Sequence, residues 1–333
     1  MVKCSNLNLS MHHSRHSIAM KQSFSIYRLV HFIEIVIVTS LFLIALILLT
    51  FNHPRKIIGN HPCLSFISTC GCQADERGSN QNVISFSLFG NLSKPSLSVR
   101  YVQPLKALTA NISRVYPDWI VRIYHNFSKE SGEDWLLRKM LGNPANVDLC
   151  NSDDVFRFHQ IQRNVFPMVW RFLPLLDPLV DRFMSRDTDA ELISRETDAV
   201  REWLASDATF HAMRDHPWHC NIEMLGGLWG AKVQQRRDDI SRATRKLFNR
   251  RMPFFHGIDQ LLLKFYVWPL AVKDSVIHDS HCCELFPSSR PFPSRRQDSS
   301  LFVGSIYSNQ SVPSPGICPQ KCRPERHPDW TEC

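Results

Sequence analysis

The chain has 333 residues, a formal net charge of +8 and a pI of about 9.0. Its content of 44% hydrophobic and 21% charged residues is ordinary for a globular protein and excludes a largely disordered or collagen-like chain. The basic balance does not indicate a nucleic-acid partner, because the Lys and Arg residues are scattered. Their tightest cluster, at 234–251, predicts a solvated basic helix face or, as the second interpretation, a surface for an anionic acceptor.

The N-terminal part of the chain indicates a membrane-embedded protein. Residues 29–51 are almost wholly apolar, and about 20 such residues span a bilayer as a helix. Lys and Arg are more frequent before this run than directly after it, which favours a cytosolic N terminus. We therefore predict a cytosolic tail at 1–28, a transmembrane signal-anchor helix at 29–51 and a stem at 52–80. The predicted localisation is the Golgi or ER membrane, as a single-pass type II protein with its main domain in the lumen.

Cysteines and glycosylation sequons agree with a lumenal domain. Only Cys4 of the 11 cysteines precedes the apolar run, and the others are expected to form disulfides in an oxidising compartment. Their connectivity does not follow from the sequence. Asn-x-Ser sequons predict N-glycosylation at Asn91, Asn111, Asn126 and Asn309.

Residues 81–285 are predicted to form the main domain, in which strands alternate with helices. Helical spacing predicts helices at 101–115 and 133–141, a third that Ser194 begins and caps, and a fourth that starts near residue 256. The alternation indicates an α/β fold with a mainly parallel sheet and helices on both faces. The Pro- and Ser-rich tail at 286–333 is predicted to be irregular. Apolar runs predict strands at 83–89, 119–124, 145–149, 210–213, 267–272 and from 180 onward.

Two acidic residues follow the strand that begins at Val180. Asp187 and Asp189 lie one residue apart, and the carboxyl ends of strands are where open α/β sheets bind ligands. Two carboxylates this close repel each other unless a cation lies between them, and oxygen ligands suit Mg²⁺ or Mn²⁺. Such a metal also binds substrate phosphates, so the pair predicts a phosphate-containing ligand.

Asp187-Thr188-Asp189 resembles the DxD motif of metal-dependent, nucleotide-sugar glycosyltransferases of the GT-A fold. The motifs downstream follow in an order similar to that of a group of glycosyltransferase-like proteins, some of them linked to polysaccharide synthesis. The resemblance covers residues 80–285. It implies a membrane-anchored glycosyltransferase with a GT-A-like fold, Mn²⁺ or Mg²⁺ as cofactor, a nucleotide-sugar donor and a glycan or other hydroxyl acceptor. The motifs that carry it are 210–217, 226–230, 256–260, 268–269 and 278–280.

The resemblance also implies roles for individual residues. Asp187 and Asp189 would bind the metal, with His278 as a third ligand. Asp259 would be the general base that takes the proton of the acceptor hydroxyl if the reaction inverts configuration. A first-turn acid that the helix dipole favours is the other interpretation of Asp259. The predicted donor-binding residues are Arg186, Arg214, Asp215 and His216, and the predicted acceptor-binding residues are Gly226, Gly227 and Trp229.

Two other function classes remain open at this point. A metal-dependent hydrolase of the phosphoesterase type would use a second cluster of possible metal ligands, His211, Asp215, His216 and His219. Pro217 breaks any helix there, and Arg214 beside the cluster opposes a cation. A non-catalytic sugar-binding protein with the same fold is the third class.

Overall fold

The computed structural model describes residues 35–40, 66–162, 165–251, 253–298, 300–306 and 313–333. The chain divides into two compact units, Met1–Pro62 and Cys63–Cys333. The description of the first unit is limited to a helical stretch at 35–40, whose side chains are exposed. All further structural statements concern the second unit.

The predicted membrane localisation is contradicted. No helix among the described residues is long and apolar enough to cross a bilayer. Apart from 35–40, the predicted anchor at 29–51 lies outside the described residues, as do the predicted tail at 1–28 and residues 52–65 of the predicted stem. The expected single-pass type II arrangement in the Golgi or ER membrane is therefore withdrawn.

A seven-stranded sheet forms the centre of the second unit. Its strands are β1 (Gln81–Leu88), β2 (Trp119–His125), β3 (Val147–Asn151), β4 (Val180–Ser185), β5 (Phe210–Arg214), β6 (Trp229–Lys232) and β7 (Ser275–Asp279). Their order across the sheet is β3-β2-β1-β4-β6-β5-β7. Only β6 runs antiparallel to its neighbours, β4 and β5, and the other neighbouring pairs are parallel.

Helices cover both faces of this sheet. Phe183 and Met184 are consecutive in β4, so their side chains point to opposite faces, and they belong to two different apolar clusters. The predicted α/β class with a mainly parallel sheet and helices on both faces is thereby confirmed. The helices are α1 (Cys72–Glu76), α2 (Gln103–Val115), α3 (Glu133–Leu141), α4 (Ser152–Phe158), α5 (Ser194–Ala205), α6 (Arg237–Asn249), α7 (Ile258–Tyr266) and α8 (Trp268–Ala271). Short 3₁₀ segments lie at Pro167–Leu176, Pro217–His219, Val233–Arg236 and Gln320–Cys322, and an α-helical turn at Pro95–Leu97 and a π-helical turn at Ser98–Val102 precede α2.

Three local predictions were wrong. The run at 267–272 forms α8 rather than a strand, because Pro269 lies in the first turn of a helix, where it is tolerated, and a short apolar run does not distinguish the two states. Ser194 is the first helical residue of α5 and not its cap. The cap position belongs to Ile193, which makes no side-chain capping bond. Trp229 and Gly230, in the predicted acceptor-binding motif at 226–230, begin β6, a strand that is absent from the predicted set.

Disulfides attach both flanks of the main domain to it. Cys70 bonds to Cys150 in β3, so residues 66–80 pack against the sheet. Three further disulfides among the described residues lie in or near the C-terminal segment, where the cysteine side chains replace part of the missing apolar core. They are Cys220–Cys282, Cys283–Cys322 and Cys318–Cys333.

Candidate functional site

A cavity of about 500 Å³ opens at the carboxyl ends of β1 and β4. From β1 the chain continues to β2 and β3 on one side, whereas β4 and its neighbours lie on the other. The two strands therefore flank the point where the strand order reverses, which is where open α/β sheets bind ligands. The volume lies within the range of small-molecule sites, roughly 300–1,000 Å³.

Two of the predicted acids lie on the wall of this cavity against a pair of glycines. Ser185, the last residue of β4, pairs with Trp229 at the start of β6, and its hydroxyl donates to the carbonyl of Gly226 at 2.6 Å. This register brings Gly227 against the carboxylate of Asp187, and Gly226 against that of Asp259. A Cβ atom on either glycine would overlap with the facing carboxylate, so the close approach requires glycine at both positions.

Arg171 joins these two acids. Its Nη2 donates to Asp259 Oδ2 at 2.7 Å, and its Nη1 donates to Asp187 Oδ1. Arg171 and Asp259 are almost fully buried, whereas the Asp187 side chain is 40% exposed and faces the cavity. Burial alone lowers the pKa of Arg171, but the two carboxylates outweigh this and hold it above its ordinary value. The guanidinium therefore stays charged and neutralises part of the acidic site.

Sequence reasoning did not identify Arg171. It lies in the 3₁₀ segment Pro167–Leu176, and its backbone N–H donates to Ser87 Oγ of β1 at 2.9 Å. The available signal was a single charge inside an otherwise apolar run, since arginine is rarely buried without a partner. The partners, at positions 187 and 259, are too distant along the chain to be recognised from the sequence.

Asp189 is the second acid of the DxD motif and also lines the cavity. Its side chain is 15% exposed, and its nearest cation is Arg100 Nε at 3.9 Å. Burial first, and then the charge of Asp187, raise the pKa of Asp189 above its ordinary value. A carboxylate in this state gains from a divalent cation beside it, because the cation offsets both effects.

The residues at this position fit a hard divalent cation with few protein ligands. Asp187 and Asp189 offer carboxylate oxygens, and Mg²⁺ is usually bound by one or two carboxylates together with water and substrate phosphates. Among the described residues, no three His, Cys, Asp or Glu side chains at the cavity bring their ligand atoms within 4.8 Å of one another. The single group of that kind in the described part of the chain contains Asp279, but its Cys283 and Cys322 are joined in a disulfide.

The C-terminal segment forms one wall of the cavity, which the sequence did not predict. Ile306 pairs with Ala190 directly after the DxD motif, and the backbone N–H of Glu191 donates to Ser305 O at 2.9 Å. Gly304 and Ile306 both line the cavity. The region called an irregular tail is therefore part of the candidate site.

His278 does not reach the DxD carboxylates. It lies on β7, at the edge of the sheet, and is fully buried. Its Nδ1 is 2.9 Å from His211 Nε2, and its Nε2 is 3.2 Å from Glu202 Oε2. Because both ring nitrogens have protein partners, the predicted third-ligand role is not supported.

The predicted donor-binding residues also lie outside the cavity wall. Arg186 is buried and donates to Glu196 Oε1 at 2.5 Å, and Arg214 is buried and donates to Asp279 Oδ2 at 2.8 Å. Asp215 is fully buried among Arg195, Arg296 and Ser280. His216 Nε2 lies 3.2 Å from the carbonyl oxygen of Pro313. These side chains hold the fold together, and their charges are already compensated by protein groups.

Trp229 is a core residue and not an acceptor platform. Its indole is fully buried, with the ring centroids of Phe183 at 5.0 Å and Phe172 at 5.5 Å. A fully buried indole cannot contact an acceptor sugar, so the predicted acceptor-binding role of Trp229 is not supported. Gly226 and Gly227 do line the cavity, together with Leu228.

The histidine cluster of the predicted hydrolase does not form. His211 stacks on Trp203 at 5.2 Å, and Asp215 is neutralised by its arginines. His219 lines the cavity, but its Nδ1 accepts from the backbone N–H of Asp215 at 3.2 Å. Burial lowers the pKa of His219 to about 4, so it is neutral at neutral pH. Within the described part of the chain, these residues form no group of three possible metal ligands.

The predicted glycosylation sites remain predictions. Asn91 and Asn126 are exposed, Asn111 is half-buried and donates to Leu192 O at 3.4 Å, and Asn309 lies outside the described residues.

Comparison with known proteins leaves the family open. Neither a protein-family model nor a curated protein matches the chain. Among solved structures, it is similar to 4-diphosphocytidyl-2C-methyl-D-erythritol synthase from Anaerococcus prevotii DSM 20548, with 11% identity, a TM-score of 0.39, and coverage of 63% of this chain and 89% of that chain. It is also similar to galactosyltransferase LgtC in complex with donor and acceptor sugar analogues, with 14% identity, a TM-score of 0.33, and coverage of 59% and 73%. Likeness at these TM-scores carries no functional argument, so the proposal below depends on the site.

Proposed function

We propose that this protein is a glycosyltransferase that moves a sugar from a nucleotide-sugar donor to a hydroxyl group of a glycan or other acceptor. The observation that carries the proposal is the position of three carboxylates on one cavity at the reversal of strand order: Asp187, Asp189 and Asp259. The resemblance of Asp187-Thr188-Asp189 to the DxD motif supports the same class. The hydrolase class loses its support because its histidine cluster does not form.

Asp259 is proposed as the base for the acceptor. In the transfer, the acceptor oxygen bonds to the anomeric carbon, the bond from that carbon to the diphosphate breaks, and the acceptor hydroxyl loses its proton. Arg171 holds Asp259 Oδ2, whereas Oδ1 is buried without a hydrogen-bond partner among the described residues. This free oxygen can accept the proton. A reaction that retains configuration would not require the base.

Asp187 and Asp189 are proposed to hold Mn²⁺ or Mg²⁺ together with the donor diphosphate. A divalent cation there would stabilise the negative charge of the leaving nucleoside diphosphate. Arg171 fixes the orientation of Asp187, and the glycine pair lets the backbone of 226–227 approach the two acids. These contacts place the acids before the donor binds, which reduces the cost of ordering them.

A screen with purified protein tests the proposal. UDP- and GDP-sugars are supplied with Mn²⁺, and the release of nucleoside diphosphate and the transfer to oligosaccharides are measured. Asp189→Asn should weaken donor binding in calorimetry and reduce both activities by roughly 10²–10³. Asp259→Asn should keep donor binding and reduce transfer by roughly 10²–10⁴. Asp118→Asn is the matched control, since Asp118 is exposed and precedes β2, at the amino end of that strand, whereas the cavity lies at the carboxyl ends of the neighbouring strands.

Each negative outcome has a definite meaning. If no nucleotide sugar binds, the glycosyltransferase proposal is wrong. Binding without any turnover would instead identify a non-catalytic sugar-nucleotide-binding protein. If Asp259→Asn loses donor binding as fully as Asp189→Asn, Asp259 belongs to the donor site and is not the base.

A further inference from the structure

A strongly basic surface lies on α6 and on the segment that leads from α6 to the cavity wall. We call it the basic face and define it by five exposed residues, Arg242, Arg245, Lys246, Arg250 and Arg251. No Asp or Glu occurs between Ile240 and Ile258, so no acid of this segment offsets their charge.

The fold itself does not require these cations. α6 buries Ile240, Ala243, Thr244, Leu247 and Phe248 on one side and presents the basic face on the other. Arg242 has one ion pair, with Asp239 at 3.4 Å. The side chains of the remaining four cations make no ion pair or hydrogen bond with any residue that the structure describes. The helix dipole favours cations in the last turn of α6, which explains Lys246 but not Arg250 and Arg251 beyond its end.

Exposed aromatic side chains connect the basic face to the cavity. Phe254 and Phe255 follow Arg251 closely and are 54% and 43% exposed. The ring of Phe254 lies 5.7 Å from that of Phe166, which lines the cavity. The next residues along the chain, His256, Asp259 and Gln260, are also part of the cavity wall. Cations, aromatic rings and the proposed base therefore follow one another along the chain, and the aromatic rings contact the cavity wall through Phe166.

We propose that the acceptor is an anionic polysaccharide chain, bound along the basic face and Phe254–Phe255 with its end at Asp259. This inference rests on the proposed function and names the substrate class of the same site. Sulfate or carboxylate groups along the chain pair with the exposed cations, and the apolar faces of sugar rings stack on the phenylalanines. The end of the chain presents an uncharged hydroxyl to the three carboxylates. A nucleic acid would instead place a phosphate beside them at every residue.

Binding experiments test the surface without requiring turnover. The probes are dextran sulfate and neutral dextran of equal length, and affinity is measured by electrophoresis in gels that contain the polymer. The test variant replaces Arg245, Lys246, Arg250 and Arg251 with serine. The control variant replaces four exposed cations located elsewhere, Lys106, Lys139, Lys273 and Arg326, and changes the net charge equally.

The wild type should bind dextran sulfate and not dextran, with an affinity that falls as salt is added. Each exposed ion pair contributes little by itself. We therefore expect the loss of four such pairs to decrease the affinity for dextran sulfate by roughly tenfold or more. The control variant should bind as the wild type does. Phe254→Ser with Phe255→Ser should also weaken binding. In transfer assays, the test variant should raise the KM for a sulfated acceptor.

Two results would overturn the inference. Equal weakening in the test and control variants would show that only net charge matters. Stronger binding of RNA or of anionic lipid vesicles than of dextran sulfate, lost in the test variant, would assign the face to another class of partner. If the protein binds dextran sulfate at the basic face but neither binds nor turns over a nucleotide sugar, the basic face is a polysaccharide-binding surface and the proposed glycosyltransferase function is wrong.

Discussion

Arg171 is the residue on which the geometry of the candidate site depends most. It places one guanidinium between two carboxylates from distant parts of the chain, Asp187 and Asp259. Removing one partner of a buried ion pair leaves an uncompensated charge and typically costs about 3–5 kcal/mol. We expect Arg171→Met to lower the free energy of unfolding by an amount of this order, measured by urea denaturation. Arg171→Lys should recover only part of it, because an ammonium group does not bind two carboxylates in the forked geometry of arginine.

Arg201→Met is the control for this prediction, since Arg201 is exposed and pairs with Asp198 on the surface of α5. Surface pairs contribute about 0–1 kcal/mol. Equal unfolding free energies for Arg171→Met and Arg201→Met would contradict the structural role assigned to Arg171.

The sequence predicted those site residues that belong to a local pattern. Asp187 and Asp189 follow an apolar strand, Gly226 and Gly227 form a recognisable pair, and all four residues line the cavity. The metal- and acceptor-binding roles that the sequence predicts for them stay predictions. His278 carried no local signal of its own. Its partners, Glu202 and His211, come from other elements and became visible only in three dimensions.

Glu202 connects three elements and introduces a pH dependence. It lies on α5, bonds to His278 on β7, and also accepts from Arg290 at 2.8 Å. The hydrogen bond with His278, and then that with Arg290, lower the pKa of Glu202 from 4.5 to about 2, against the opposing effect of burial. The folded protein therefore holds this proton less tightly than the unfolded chain. The resulting stabilisation is fully present above pH 4.5 and is lost as the pH falls toward 2.

We expect Glu202→Gln to lower the free energy of unfolding at neutral pH. The difference from the wild type should shrink below pH 4.5 and disappear near pH 2. The measurement is a series of urea unfolding curves across this range. A difference that stays constant down to the lowest pH would show that the ionised carboxylate is not the stabilising group.

Asp215 attaches the C-terminal segment to the domain. Its carboxylate accepts from Arg195 and Arg296, from Ser280 Oγ, and from the backbone N–H of Val303 at 2.9 Å. Burial raises the pKa of Asp215, but these donors outweigh it and hold the pKa below its ordinary value. The carboxylate is therefore ionised and compensated within the core.

Asp215→Asn should destabilise the protein by about 3–5 kcal/mol, since it leaves two buried arginines without their common partner. Val303, which donates to Asp215, directly precedes Gly304 in the cavity wall. The substitution should therefore displace this part of the wall and also raise the KM for substrate. Asp298→Asn, on the exposed surface of the same segment, is the control. An unchanged KM in a folded Asp215→Asn protein would show that the segment does not shape the site.

Elements were predicted best where their pattern was long and bounded. The strands β1, β2 and β4 and the helices α2, α3 and α5 follow from apolar runs and helical spacing. β6 was missed because Trp229-Gly230-Ala231-Lys232 contains no long apolar run, whereas its pairing with β4 and β5 makes it a strand. The C-terminal segment was interpreted as irregular because disulfides and Asp215, rather than apolar density, hold it in place.

At the scale of the whole molecule, a cation bound only by the folded state should stabilise it. Mn²⁺ supplied with a nucleoside diphosphate should raise the free energy of unfolding, by about 2.7 kcal/mol at a concentration 100 times the Kd. Chelation should remove the effect. Asp189→Asn should abolish it, whereas Asp118→Asn should keep it. If the cation and nucleoside diphosphate stabilise Asp189→Asn as much as the wild type, the cation binds at a site that does not include Asp189.

The contact of Gly226 and Gly227 with two carboxylates also determines how the chain tolerates change. Every residue other than glycine has a Cβ atom, and at both positions that atom would overlap with a carboxylate, that of the proposed base Asp259 or that of the proposed metal ligand Asp187. In a mutational scan of the full chain that selects for activity, only variants that keep glycine at these two positions should be active. Even alanine should inactivate the protein. Gly71 has no atom within 4 Å of an added Cβ and should accept several small residues in the same scan. Recovery of active alanine variants at 226 or 227 would show that the acids can move without loss of function, so the site would be adaptable rather than rigid.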